Sequence, residues 1–502
     1  MSQATFWGAA LCSLLFAYLA LDNRFLRDFW QHLASARAAA EAGAWFSRAD
    51  TLSFTIAGSP VINSDWLAQR LYLFLHRLGG LELVQALNAC LLVGGFAVLT
   101  VAVRQRCRRS TAALAAMGVV GGCALQSLTL RPQSFSIVLA CLVVWVLERS
   151  HRSAHERWWL VALMALWVNL HGAFPVGWLL ILLDRSEGWL RSRQAEAPPT
   201  PVGRGMAAVA RKPSIWRRAG WADLACLAAP LAHPQGVQIL AHLLGNAARS
   251  SQRQIREWLA PSLGEPAGFF LLLAGMMTLW LWARARRVES GCPLAAVLVA
   301  RALVLGIPAA LSARMVVWFG IGMAAVWAEA MVRLWPAPAG AQRRVPAAAL
   351  SVPILIAIAA LPWLRPHAVW LPEQRRLAQW GGPVKAVSWL AQRGIRGRVW
   401  APFDWAGYLE WELFGRVRLF ADARVHLFPD PLWRDYLRIE AGAQETESIL
   451  ERWSVRWVLV DRRRSPRLER ALADSEHWAH FYADDRARLF GVPSDRPEKA
   501  RE

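Results

Sequence analysis

Apolar runs near the ~20 residues needed to cross a ~30 Å hydrocarbon core recur through the first 364 residues. They are broken by short connections rich in arginine. A chain that is 55% hydrophobic over 502 residues, patterned this way, cannot hide its apolar surface in ordinary soluble cores. About eleven spans read from the pattern. They are Phe6–Leu21, Leu81–Val103, Ala112–Leu128, Phe135–Leu147, Trp158–Leu170, Phe174–Leu183, Trp221–Leu231, Ala267–Trp282, Leu294–Leu311, Met315–Val332 and Pro346–Leu364. Many of the 29 tryptophans lie at the ends of these runs, where an interfacial aromatic belt is expected. The fold class is an α-helical polytopic membrane protein.

A net charge of +21 would, by itself, suggest a nucleic-acid partner. Its placement excludes that partner. Residues from Arg365 onward carry only +4, and the remaining +17 sits among the spans. There it clusters in alternate connections, such as Arg104–Arg109, Arg284–Arg287 and Arg333–Arg344. Connections assigned to the inside hold 21 Lys/Arg against 7 Asp/Glu; the rest up to Leu364 hold 12 against 9. The positive-inside rule then places the amino terminus in the cytoplasm and the carboxyl tail outside. No charge precedes Phe6–Leu21, so this run reads as a retained first helix. Asp184–Arg218, rich in Pro, Ala and Arg, reads as a flexible cytoplasmic loop. The seven cysteines show neither a disulfide framework nor metal-ligand spacing.

Two domains follow: residues 1–364 form the membrane domain, and residues 365–502 an external α/β domain. In the tail, β-like runs at Arg398–Trp400, Val417–Phe420, Trp457–Val460 and Ala487–Phe490 alternate with helical stretches at Val384–Gln392 and Gln444–Trp453. The first outer loop, residues 22–80, holds Asp28, His32, Asp50 and Asp65. It ends in an amphipathic stretch, Trp66–Leu78, that reads as a helix lying along the membrane surface.

Under this topology the unusual polar residues gather on the outer side: Asp28, His32, Asp50, Asp65, Arg131, Gln133, Asn169, His171, His233, Glu257 and Arg314. Ionisable groups near hydrocarbon are costly, and a whole set on one side points to a shared cavity. Carboxylates there can take a proton from an acceptor hydroxyl, and guanidinium groups can hold a phosphate leaving group. Each residue also has a plainer reading. Asp28 can cap a helix or pair with Arg24 or Arg27. Asp50, before Thr51 and Ser53, can close a turn. Asp65 can cap the Trp66–Leu78 helix. Arg131, Arg314, Asn169 and His171 can be span-end anchors, and Glu257 can solvate its loop. Asp28 and His32, four apart, share a helix face and leave a divalent metal open, though no tight ligand motif is present.

Several stretches resemble the GT-C superfamily of integral membrane glycosyltransferases, and within it a bacterial branch. They are Asp28-Phe29-Trp30-Gln31-His32-Leu33, Asp50-Thr51-Leu52-Ser53-Phe54-Thr55, Asp65-Trp66-Leu67, Arg131-Pro132-Gln133, Trp167-Val168-Asn169-Leu170-His171-Gly172 and Ile255-Arg256-Glu257-Trp258. In the tail, Phe403-Asp404-Trp405-Ala406-Gly407-Tyr408-Leu409 and Phe420-Ala421-Asp422-Ala423-Arg424 match as well. The resemblance implies a polyprenyl-phosphate sugar donor, an external glycan, lipid or protein acceptor, and a bacterial cytoplasmic-membrane location. It implies Asp28 as catalytic base. Arg131, His171 and Arg314 suit the donor phosphate, and His32, Asp50, Asp65, Gln133, Asn169, His233 and Glu257 line the site. Two departures stand out. Trp30-Gln31-His32 replaces a usual Trp-Trp-His, and Asp422-Ala423-Arg424 replaces Asp-Gly-Arg, where glycine would serve a turn. A transporter of lipid-linked sugars and a non-catalytic scaffold are the alternatives.

Overall fold

The computed structural model describes residues 2–21, 26–151, 153–195, 213–288, 293–335, 345–361 and 381–493. The chain is mostly helical and divides into two compact units. One comprises Met1–Ala20 and Gln85–Leu361; the other comprises Leu21–Val84 and Pro362–Glu502. This division differs from a boundary at residue 364 alone, because Leu21–Val84 belongs with the tail.

Helices of the first unit are α1 (Gln3–Leu21), the distal part of α3 (Trp66–Cys107), α4 (Ser110–Ala124), α5 (Gln133–Ser150), α6 (Trp159–Leu170), α7 (Pro175–Ala195), α8 (Pro213–Leu227), α9 (Gln238–Gln252), α10 (Pro266–Val288), α11 (Pro293–Leu311), α12 (Val316–Leu334) and α13 (Ser351–Ala359). Seven helical segments among the described residues are long and apolar enough to cross a membrane, fewer than the eleven expected. The difference has a geometric cause. α6 has 12 residues and α13 has 9, so each rises well short of 30 Å at about 1.5 Å per residue. The apolar half of α7 continues into a charged half, so Asp184 to Ala195 is helix rather than loop; residues 196–212 lie outside the described residues, as do 362–380, where the tail was expected to begin.

α12 is the centre of this unit. Every residue from Val316 to Ala330 is buried, as an apolar-all-round helix requires. It packs against α4, α10 and α11. Gly322 makes the last approach close: a Cβ there would fall 2.4 Å from Leu305 Cδ1. At the carboxyl ends of α3, α5 and α12 a buried ionic network forms. Arg106 bonds Glu148 at 2.9 Å and Glu329 at 2.8 Å, and also pairs with Glu187. Arg191 reaches Glu329 at 2.7 Å, and Arg301 reaches Glu187 at 2.7 Å.

In the second unit, α2 (Leu26–Glu41) and the Trp66–Leu78 half of α3 join a five-stranded sheet and its helices. α3 breaks at Gly79 and Gly80, where Gly80 has φ +66, a left-handed conformation that favours glycine. The sheet order is β2-β1-β3-β5-β4, with β1 (Gly397–Trp400), β2 (Val417–Leu419), β3 (Trp457–Asp461), β4 (Ala479–Ala483) and β5 (Ala487–Gly491). β1 pairs in parallel with β2 and β3; β5 pairs antiparallel with β3 and β4. β4 was not expected from sequence.

The segment between α2 and α3 adds to this sheet. Phe54 N–H donates to Leu419 O at 3.1 Å, and Leu419 N–H donates to Leu52 O at 3.3 Å, so Leu52–Phe54 runs beside β2. Helix α14 (Val384–Gln392) precedes β1, and α15 (Phe403–Glu412) follows it and packs along α2. Ala34, Ala38 and Leu52 form a small core there, covered by Trp411 and Phe414. Arg37 stacks its guanidinium 4.4 Å from the Phe414 ring and donates to Trp411 O at 3.2 Å.

Candidate functional site

Four of the expected residues come together in the first unit: Arg131, Glu257, Arg314 and His171. Arg131 lies in the turn before α5, and Pro132 starts that helix without needing an N–H partner. Glu257 lies in a short 3-10 turn, Arg256–Trp258, and Arg314 in another, Ala313–Met315. Backbone bonds join the two turns: Ala313 N–H donates to Leu259 O at 2.9 Å, and Ser312 Oγ donates to Glu257 O at 3.2 Å. Arg314 also stacks over Trp258 at 5.0 Å.

Glu257 bridges the two arginines, at 2.8 Å from Arg131 Nη1 and 3.1 Å from Arg314 Nη1. Burial alone would raise the Glu257 carboxyl. The charges of Arg131 and Arg314, the Arg131 hydrogen bond and nearby His171 outweigh it and bring the value down to about 2. The trio carries a net charge of +1, and each side chain keeps a fifth to a third of its surface exposed: 27% for Arg131, 29% for Glu257 and 21% for Arg314.

His171 caps the end of α6 and is buried. Trp167 Nε1 donates to Ser136 Oγ at 2.7 Å, and Ser136 Oγ lies 2.8 Å from His171 Nδ1. Ala173 N–H also points at Nδ1, at 3.3 Å. Nε2 faces Arg314 Nη2 at 3.4 Å. Both ring nitrogens are thus engaged, Nδ1 by Ser136 and Ala173 and Nε2 by Arg314, and the tautomer decides which of them accepts. A guanidinium only donates, so in this contact the imidazole leans on the same arginine that Glu257 holds.

The other expected residues of this unit hold backbone. Asn169 Nδ2 donates to Ala165 O at 2.8 Å and to Ala232 O at 3.1 Å. His233 Nδ1 accepts from Gln235 N–H at 3.1 Å. Gln133 is buried at the start of α5.

Asp28, His32, Asp50 and Asp65 belong to the second unit. Asp28 sits in the first turn of α2, where the helix dipole favours a carboxylate, and is partly exposed. His32 lies one turn further along α2. Its Nδ1 is 3.2 Å from Gln69 Nε2, and Gln69 Oε1 accepts from Asn63 Nδ2 at 2.8 Å. Asn63 Oδ1 in turn accepts from Asp65 N–H at 3.1 Å, so a polar chain ties α2 to the start of α3. Asp65 stands immediately before that helix, in the cap position expected.

Asp50 is buried and bonded, with Arg424 Nη2 at 2.5 Å and Ser53 N–H at 2.9 Å. Arg424 also pairs with buried Asp422, and its Nε lies 3.0 Å from Asp422 Oδ1. Position 423 is not left-handed, so Ala423 fits where the resemblance suggested a glycine turn. Asp404 pairs with Arg464 at 3.3 Å. No group of three or more His, Cys, Asp or Glu is placed to hold a metal among the described residues. Glu410 and Ser136 escaped sequence reasoning. Ser136 has no signal, and Glu410 is one of three acids in Phe403–Glu412, with nothing in the sequence to single it out.

No family model matches the sequence, and no curated protein matches it either. In fold, the chain resembles a membrane glycosyltransferase. The match is to the cryo-EM structure of arabinofuranosyltransferase AftD from Mycobacteria, with a TM-score of 0.50 and 17% identity over 98% of this chain. A mutant form of AftD gives a TM-score of 0.49 at 17% identity, over 98% of this chain and 42% of that one. The chain spans 40% of the length of the first AftD structure. The likeness is one of fold alone, and it covers nearly the whole of this chain.

Proposed function

We propose that this chain is a membrane glycosyltransferase that moves a sugar from a polyprenyl-phosphate donor to an acceptor hydroxyl on the outer face of a bacterial cytoplasmic membrane. In this reading the amino terminus is cytoplasmic and residues 381–493 are outside. One observation carries the proposal: Arg131 and Arg314 present donors around a single carboxylate, Glu257, with His171 Nε2 3.4 Å from Arg314, at the ends of apolar helices. That is a phosphate-sized set of donors where a lipid phosphate's head would lie.

The reaction forms a bond from the acceptor oxygen to the anomeric carbon and breaks the bond from that carbon to the phosphate oxygen. Asp28 takes the acceptor proton, and Arg131 and Arg314 hold the departing lipid phosphate. Partners are the lipid-linked donor, an external glycan, lipid or protein acceptor, and the surrounding lipids.

The test uses the full chain in its host membrane. Asp28→Asn should abolish the chain's glycan product, seen by mass spectrometry of surface glycans and lipid-linked sugars, while the protein still inserts. Arg131→Ala should lower polyprenyl-phosphate binding by the purified protein. An unchanged glycan profile in Asp28→Asn removes Asp28 from the mechanism; unchanged lipid-phosphate binding in Arg131→Ala with Arg314→Ala removes the phosphate site.

A further inference from the structure

Glu410 lies on α15 and is only 2% exposed. Neither of its carboxyl oxygens has a hydrogen-bond partner among the described residues. Both polar atoms of the Gln31 amide, on a residue 3% exposed, lack partners in the same way. The two side chains meet across the α2–α15 interface. Gly407, three residues before Glu410 and on the same face, permits this: a Cβ there would fall 2.6 Å from Gln31 N.

Four buried polar atoms without partners, belonging to an amide and a carboxyl, have one economical solution. A protonated carboxyl donates its O–H to Gln31 Oε1 and accepts from Gln31 Nε2–H on its other oxygen. That ring satisfies all four. An ionised carboxylate only accepts, so it leaves Gln31 Oε1 without a donor, at the full cost of a buried unpaired group.

The surroundings favour the same state. Asp50 and Asp422 already share one cation, Arg424. Burial pushes Glu410 well above the usual carboxylate range, and Asp422 and Asp50 push it further, outweighing the opposite pull of Arg424 and of hydrogen bonding from the Gln31 amide. Of the other charged groups on elements packed here, Arg37 of α2 is engaged with Glu41 and Trp411 O. Arg418 of β2 and Lys385 of α14 are exposed.

We propose that Glu410 works as a neutral acid, paired with the Gln31 amide through two hydrogen bonds, and that this pair is a proton-dependent clasp docking α2 on α15. Gln31 lies three residues after Asp28 on the same helix, so Glu410 is a positioning residue for the segment that presents Asp28. Only that last step rests on the role proposed for Asp28; the clasp itself does not.

Hydrogen exchange on the full chain in lipid nanodiscs tests it, with rates corrected for the intrinsic effect of pH. In wild type, Leu26–Glu41 and Phe403–Glu412 should be protected together at neutral pH and lose about tenfold or more in protection as pH rises and Glu410 ionises. Glu410→Gln, whose amide can form the same two-bond ring, should stay protected at both extremes. Wild-type protection that ignores pH, or Glu410→Gln that loses protection at neutral pH, overturns the clasp. A second measurement needs only wild type and Gln31→Leu. A protonated-carboxyl infrared band should be present at neutral pH and should shift to higher frequency in Gln31→Leu; absence of the band, or no shift, overturns the pairing. These readouts involve no sugar transfer, so their failure and the failure of the Asp28 assignment are separate results.

Discussion

The two ends of the helical unit hold the same residue types to opposite effect. α5 and α12 each run from one end to the other, with Ser136 and Arg314 near their starts and Glu148 and Glu329 near their finishes. At the finishing end the side chains of Arg106, Glu187 and Glu329 are 7%, 1% and 12% exposed, and Glu187 and Glu329 each face more than one arginine. At the starting end, a lone carboxylate bridges two arginines that are 27% and 21% exposed. Buried, multiply paired ions lock an assembly; half-open ones can exchange a partner. Arginine–glutamate pairs are therefore not one signal, and how deeply the charges are buried distinguishes a lock from a site.

The sharpest test of that contrast is Glu187→Ala. It takes from buried Arg301 the carboxylate it faces, removes one partner each from Arg106 and Arg191, and should cost about 3–5 kcal/mol of stability, read by thermal unfolding in detergent. A loss under ~1 kcal/mol would make the two ends alike. Next in size is Arg314→Ala at the open end. Losing charge-assisted bonds to a phosphate should weaken polyprenyl-phosphate binding about 10- to 100-fold, while stability falls by only about 1 kcal/mol.

A third test uses acid. Glu257 is held near 2 when folded, below its ordinary value of 4.5. The stabilisation it provides is therefore complete above pH 4.5 and is lost as pH falls toward 2. A melting series should show that acid-side loss in wild type, and Glu257→Gln should lack this component. The smallest effect is expected at Arg256, which is 82% exposed beside Glu265. Arg256→Ala should change stability by less than about 0.5 kcal/mol, and a larger change would show that exposure misjudges these pairs.

Local chemistry made some features legible in sequence. The break between Leu78 and Leu81 is visible because two adjacent glycines interrupt a helical pattern. Arg131, His171, Glu257 and Arg314 stand out because charged and imidazole groups are rare at apolar span ends. Strand β4 was illegible: Ala479-His480-Phe481-Tyr482-Ala483 has no β-branched residue. The attachment of the first outer loop to the tail left no local trace either, since the bonds joining Thr55 to Phe420 and Asp50 to Arg424 span more than 360 residues. Arg301 and Glu187 were read as parts of a span and a loop, because pairing across 114 residues is invisible to periodicity.

The strand-like segment Leu52–Phe54 beside β2 bears on how the chain is made. A ribosome delivers this segment hundreds of residues before Leu419. Its backbone groups and the Ala34–Ala38–Leu52 surface must wait without their final covering until nearly the whole polypeptide has emerged. Truncation anywhere before β2 therefore leaves the amino-terminal segment unfinished as well, and a carboxyl-terminal deletion that removes β2 can silence a feature encoded far upstream in the gene.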